Sequence, residues 1–257
     1  MKHQKLFVVS DIHGHYTELK AALAAAGFDR NDPAHLLICC GDYFDRGSEN
    51  AQVLRFFEGL KHKILIRGNH EDLLLKLLRT GRLQPHHYIN GSLRTLEDFF
   101  GKYAIDPVSD TIDFSGKTRV ADRLCEFIGE TVDYYETEEY VFVHGWLPEN
   151  ALTPQSRQKA GREAWEKARW VKWTERYTGQ KPLPDKTLVV GHVPTFYASD
   201  RADWKNHCDI FRGNGLIALD AGTADTKRVN VLVIDQSAAG ETGYLAQNHI
   251  DSSGNRC

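Results

Sequence analysis

Three times within its first 71 residues the chain runs through a short, continuously apolar stretch and stops at a glycine set among Asp, His or Asn. Residues 5–10 (KLFVVS) lead into Asp11-Ile12-His13-Gly14-His15, and residues 35–40 (HLLICC) lead into Gly41-Asp42-Tyr43-Phe44-Asp45-Arg46-Gly47. Residues 63–66 (KILI) lead into Arg67-Gly68-Asn69-His70-Glu71. Helical composition fills the intervals: residues 16–26 stopped by Gly27, residues 50–60, and a third stretch from residue 72 to 78. Apolar strands alternating with helices specify a mostly parallel sheet covered on both faces. In such sheets ligands bind beyond the carboxyl ends of the strands, where all three polar clusters fall.

Further along, residues 92–100 and 117–128 have helical composition. Residues 132–135 and 140–144 (YVFVH) form a predicted hairpin whose second strand ends at His144-Gly145. An amphipathic stretch follows over 155–174. A strand at 187–190 (TLVV) ends at Gly191-His192, and residues 216–219 and 229–234 complete the sheet-forming segments. No linker marks a domain boundary, so residues 1–240 read as one domain and residues 241–257 as a polar tail.

Composition removes several function classes. Lys and Arg number 32 against 35 Asp and Glu, which leaves a net charge of −3 and no bulk excess of cations for gripping nucleic acid. Aromatic residues at 11% argue against disorder. No apolar run approaches the roughly 18 residues of a membrane span, and residues 1–5 lack a secretory pattern. Five Cys, two of them the adjacent packing residues Cys39 and Cys40, fit a reduced, cytoplasmic protein.

The strand ends gather Asp11, His13, Asp42, Asp45, Asn69, His70, His144 and His192. Carboxylate, imidazole and amide oxygen together, without thiolate, suit divalent transition metals, with Mn, Fe and Zn all compatible. The donors are too many for one four-coordinate ion with three protein ligands. They suit two ions sharing a carboxylate, and two ions about 3.5–4 Å apart can clamp an in-line displacement at phosphorus. As mere turn caps, these groups would crowd together without a cation, at a substantial desolvation cost.

These five ordered motifs resemble the calcineurin-like metallophosphoesterases over residues 7 to about 235. The Asp45-Arg46-Gly47 ending and Glu71 after Asn69-His70 resemble the phosphoprotein phosphatase branch, which includes Ser/Thr protein phosphatases and symmetrical diadenosine tetraphosphatases. The resemblance implies an α/β single-domain sandwich of two mixed β-sheets flanked by helices. It implies that Asp11, His13 and the bridging Asp42 hold one metal, and that Asp42, Asn69, His144 and His192 hold the other. It further implies phosphomonoester hydrolysis by direct attack of a metal-bridging hydroxide, most simply on phosphoserine or phosphothreonine, with hydrolysis of a dinucleoside tetraphosphate as the alternative. A non-catalytic phosphate-binding module is a third, weaker reading. His70 resembles the general acid, Asp45 the carboxylate that orients and charges it, and Arg46 the planar fork on the phosphate.

Other positions carry two readings each. Arg67 grips phosphate or forms a supporting ion pair. Arg169 and Lys172 compete for the role of a further phosphate contact. Asn90-Gly91-Ser92 resembles a substrate-side Asn-Gly-Gly segment or makes a turn. Trp146 stands where the branch has a second glycine and is expected to wall the cleft. Trp170 is read as packing, His86-His87 as a loop at the cleft rim, and Asp220 as support for a metal-bound His.

Overall fold

The computed structural model describes residues 4–106, 108–198 and 207–236, with the backbone of 244–246. The periodicities of the apolar runs emerge as β1 (Lys5–Val9), β2 (His35–Cys39) and β3 (Lys63–Leu65), separated by α1 (Tyr16–Ala25) and α2 (Asn50–Glu58) and followed by α3 (Asn69–Thr80). Next come α4 (Pro85–Asn90), α5 (Ser92–Phe100), a small β4 (Ile105–Asp106) and β5 (Thr111–Ile112) hairpin, and α6 (Thr118–Gly129). The second half contains β6 (Tyr135–Glu136), β7 (Tyr140–Phe142), α7 (Pro154–Lys159), α8 (Arg162–Ala168), α9 (Trp173–Arg176) and β8 (Thr187–Val190). It closes with β9 (Phe211–Gly213), β10 (Leu216–Ala218), α10 (Thr223–Thr226), β11 (Leu232–Asp235) and β12 (Tyr244–Ala246).

Two five-stranded mixed sheets result, ordered β12-β11-β1-β2-β3 and β6-β7-β8-β10-β9. β1, β2 and β3 run parallel, as do β7, β8 and β10, while the remaining strands pair antiparallel. The period of two along each strand divides the side chains between layers. Leu6 and Val8 meet Tyr140, Phe142, Val189 and Ile217 between the sheets. Phe7 and Val9 turn the other way, onto Leu19, Phe57, Leu74 and Phe127 of the covering helices. Val141, Leu188 and Val190 pack outward on Trp165 and Trp173. Cys39 and Cys40 fall into the outer and inner layers respectively, both fully buried and neither in a disulfide.

Two sequence expectations change. The amphipathic stretch over 155–174 is three short helices rather than one, because Gly161 and the segment around Val171 interrupt the ladder. Residues 85–90 are helical, started by Pro85, and His87 is a buried cap whose Nδ1 accepts from Gln84 N–H at 2.8 Å, not a rim loop. Within the 241–257 tail, only the backbone of β12 is described, paired with β11; the rest lies outside the described residues. No helix among the described residues is long and apolar enough to cross a membrane.

Candidate metal centre

The carboxyl ends of β1, β2 and β3 in one sheet, and of β7 and β8 in the other, deliver their polar residues to one buried cluster. Close approach is possible because Gly68 has no side chain: a Cβ there would overlap the Asp42 carboxylate. Asp11, His13, Asp42, Asp45, Arg46 and His192 all adopt positive φ, six of the nine described non-glycine residues that do. Each such backbone costs on the order of 1–3 kcal/mol and persists where the surroundings over-determine it, as they do at functional sites.

Asp42 stands at the centre. His13 Nε2 lies 3.7 Å from its Oδ2, His70 Nε2 3.8 Å from the same oxygen, and His144 Nε2 3.4 Å from Oδ1. Burial opposes its charge, but His144, His70 and His13 outweigh that and hold the carboxyl below its usual range. Two donor groups share this residue: His13, Asp42 and His70, and Asp42, His144 and His192. Asp11 lies nearby, its carboxyl within reach of the charges of Asp220, His144 and Asp42. Its Oδ2 accepts from Ser10 and from the His192 N–H at 2.9 Å, whereas its Oδ1 is buried with no partner. Burial and the neighbouring Asp220 push the Asp11 carboxyl well up, the condition a bound cation would reverse.

The imidazoles are oriented for coordination. His13 Nδ1 donates to the Phe44 carbonyl at 2.9 Å, and His144 Nδ1 to the Cys40 carbonyl at 2.8 Å, so each turns Nε2 toward Asp42. Asn69 Oδ1 sits 2.7 Å from His144 Nε2. Burial lowers His13 well below the usual imidazole range and takes His192 down to about 3, aided in each case by nearby positive groups, so both are neutral donors. Orphaned Asp11 Oδ1, neutral imidazoles and a shared carboxylate fit two divalent ions.

His70 differs. Its Nδ1 donates to Asp45 Oδ2 at 2.7 Å, and although burial works against protonation, Asp42 and Asp45 raise it to about 9. Asp45 is itself clamped: Thr95 Oγ1 donates to Oδ1 at 2.6 Å, Ser92 Oγ donates to Oδ2 at 3.0 Å, and the Asp45 N–H reaches Thr95 and Asn50. The segment after Asn90-Gly91, with Ser92 and Thr95, resembles a substrate-side stretch, but its hold on Asp45 is not legible in the sequence, because the two lie 47 and 50 residues away. Glu71, in sequence only the residue that follows Asn69-His70, accepts from the N–H groups of Asp42, Tyr43 and Gly68 at 2.8–3.0 Å and so pins the second loop onto the third.

The Arg46 side chain is exposed, its charge felt at His13, His70 and Asp220. Gly91 lies against its backbone, with the Gly91 carbonyl accepting the Arg46 N–H at 3.2 Å; Asn90, half-buried, ends α4 immediately before. Arg67 is occupied, donating to Thr131 and to the Ile128 carbonyl and standing 3.9 Å from Asp72. Arg169 is buried and spends its fork on Asp72 and Asp133, with contacts of 2.6, 3.3 and 2.7 Å. Lys172 pairs with Glu175 at 3.2 Å on the surface. Neither of these two cations is turned onto the centre. Trp146 packs against the outer core, and the ring beside His192 is instead the half-exposed Trp170, whose carbonyl lies 3.3 Å from His192 Nε2. Asp220 accepts from its own loop at Gly222 (2.7 Å).

The calcineurin-like phosphoesterase profile matches residues 4–221, and the chain belongs to that family. It is 29% identical over 161 residues to serine/threonine-protein phosphatase 2 of Escherichia coli, covering 60% of this chain and 70% of that protein. It is 31% identical over 100 residues to an asymmetrical bis(5'-nucleosyl)-tetraphosphatase of Bacillus subtilis, covering 35% of this chain and 41% of that one. Several of these matches thus span only about two fifths of the relative's length. Among solved structures, a cold-active protein-tyrosine phosphatase of a psychrophilic Shewanella superposes with a TM-score of 0.52 at 16% identity, covering 91% of this chain and 76% of that one. A metallophosphoesterase from Sphaerobacter thermophilus gives 0.50 at 16%, covering 92% and 85%. At such identity the likeness is one of fold.

Proposed function

We propose that the chain is a dinuclear metal-dependent phosphoesterase that hydrolyses phosphomonoesters, with phosphoserine or phosphothreonine in protein as the leading substrate. The observation that carries this reading is the pairing of His70 with Asp45 at 2.7 Å beside a carboxylate, Asp42, common to two donor groups. In this reading Asp11, His13 and Asp42 hold one ion, and Asp42, Asn69, His144 and His192 the other. His70 is close enough to count among the donors, but its protonation up to about 9 suits an acid, while the unpartnered Asp11 Oδ1 suits a ligand.

Bound there, two divalent ions, whether Mn, Fe or Zn, supply Lewis-acid charge and an activated water at neutral pH. The residues do the rest. With Nδ1 committed to Asp45, His70 offers the Nε2 proton to the departing oxygen, and Asp45 stabilises the imidazolium until that transfer. Ser92 and Thr95 fix Asp45, and so fix where that proton points. The Arg46 fork meets the equatorial oxygens of the phosphate.

A second reading, hydrolysis of a dinucleoside tetraphosphate, draws on the identity to the Bacillus subtilis relative. Turnover of p-nitrophenyl phosphate and a phosphoserine peptide, compared with diadenosine tetraphosphate in the presence of Mn²⁺, separates the two. The monoesterase reading expects release of phosphate from the first two substrates; fast anhydride cleavage with negligible monoester turnover overturns it.

A further inference from the structure

The helix that begins at the centre continues as one wall of a trough. α3 starts with Asn69 and His70, and its later residues Asp72, Leu73, Lys76 and Arg79 line a cavity of about 430 Å³ closed on the other side by Arg162 and Trp170. Trp170 ties the trough to the centre, since its ring packs edge-on against His192 with centroids 6.2 Å apart. Beyond Arg79 and Arg162 a second cavity of about 630 Å³ carries the groove onward.

Charge in this trough is unbalanced. Asp72 is already engaged by Arg169 and Arg67, and Glu166 by Arg162 at 3.1 Å. The Lys76 ammonium and the Arg79 guanidinium are exposed and form no hydrogen bond or ion pair with a described residue. At 1.5 Å per residue, they stand about 9 and 14 Å along α3 from His70. An extended peptide advances about 3.3 Å per residue, so those distances fall at its third and fourth residues counted from the residue at the centre, and because side chains of a strand alternate, both face α3 where the peptide leaves the extended form between them.

Resting on the phosphoprotein reading above, we infer that the α3–α8 trough is a specificity subsite for acidic side chains at the third and fourth positions from the phosphorylated residue. Lys76 and Arg79 are its selecting charges, and Leu73 is its apolar floor. A peptide suits the trough better than a second nucleotide. Trp170, at the catalytic end, is the one ring among its lining residues, and the next ring outward, Tyr134 in the second cavity, is already stacked on Trp165 with centroids 5.1 Å apart.

Binding and turnover are read separately. The full-length chain is titrated with a fluorescent phosphoserine peptide carrying Glu at the third and fourth positions, and with its Ala counterpart. Tighter binding of the acidic peptide by about tenfold is expected, and Lys76→Ala/Arg79→Ala should abolish that preference, on the scale of two exposed charge contacts. Lys20→Ala/Lys61→Ala, which removes equal charge elsewhere on the surface, should retain it. The p-nitrophenyl phosphate rate of the Lys76/Arg79 variant should stay at the wild-type value. Equal binding of the two peptides, equal loss in both double variants, or a loss confined to diadenosine tetraphosphate overturns the subsite. Absence of any monoesterase activity defeats the phosphoprotein reading but leaves the binding preference to be judged on its own.

Discussion

The two sheets contribute to the centre in different ways. On the side of β1, β2 and β3, the acid and its supports are joined by a run of bonds: His70 is held by Asp45, Asp45 by Ser92 and Thr95, and the Asp42 loop by Glu71. On the side of β7 and β8, His144 is equally fixed, but His192 is half-buried and, among the described residues, its ring nitrogens find only the Trp170 carbonyl, at 3.3 Å. The first sheet therefore supplies geometry that must be in place before a substrate arrives, and acid catalysis depends on such placement. The second sheet supplies the edge of the site that opens to solvent and to the trough along α3.

Breaking the fixed side should cost most. His70→Asn is expected to lower kcat on the order of 10²–10⁴-fold, as loss of a general acid does, while metal content by elemental analysis stays at the wild-type level. If metal falls in parallel, His70 is a ligand and not the acid. On the open side, His192→Ala should weaken one ion's affinity by at least about 10–100-fold, the range known for losing only the partners that support a ligand. Competition with a chelator would show one site weakened and one unchanged. A comparable loss at both sites would mean the two sides are not separable.

Thr95→Val sharpens the comparison by leaving every proposed ligand in place. It removes a donor to the buried Asp45 carboxylate and an acceptor for its N–H, a cost of about 1–3 kcal/mol in unfolding free energy. The alkaline limb of the kcat–pH profile, where His70 gives up its proton, should shift as well, whereas KM should hold. A fall in stability with an unmoved profile would reduce Thr95 to a packing role.

The smallest expected effect is a pH dependence of the metal-free protein. Burial and the Asp42 charge raise Glu71 to about 8, burial raises Asp220 to about 7, and Asp42 and Asp45 raise His70 to about 9 against its burial. Between pH 7 and 9 the folded chain holds protons that the unfolded chain has already released, so stability is present at the lower pH and is lost as pH rises. Metal-free melting temperature should fall across that window, and saturating Mn²⁺ should flatten the slope. A metal-free slope of opposite sign would contradict the assigned crowding of carboxylates.

Much of this was legible in the sequence because each strand-end motif is local. Asp11 and His13, or Asn69 and His70, arrive at the site on the loop that immediately follows their own strand. The trait that unites them, positive φ at six site residues, is a backbone property that only glycine advertises in a sequence. What escaped lies in long-range pairs. Arg169 reads as a free cation near the right motif, but its partner Asp72 is 97 residues away, and burial turns it into a brace. Trp170 reads as packing on an amphipathic stretch, but the break near Val171 turns its ring out beside His192.

The central claim is that Asp42 is shared by two metal sites. Protein loaded with Mn²⁺, freed of excess ion and assayed for metal per chain tests it directly. The account predicts two ions per chain in the wild type and fewer than one in Asp42→Ala, since one carboxylate serves both. Two ions retained by Asp42→Ala, or a single ion in the wild type, would contradict it.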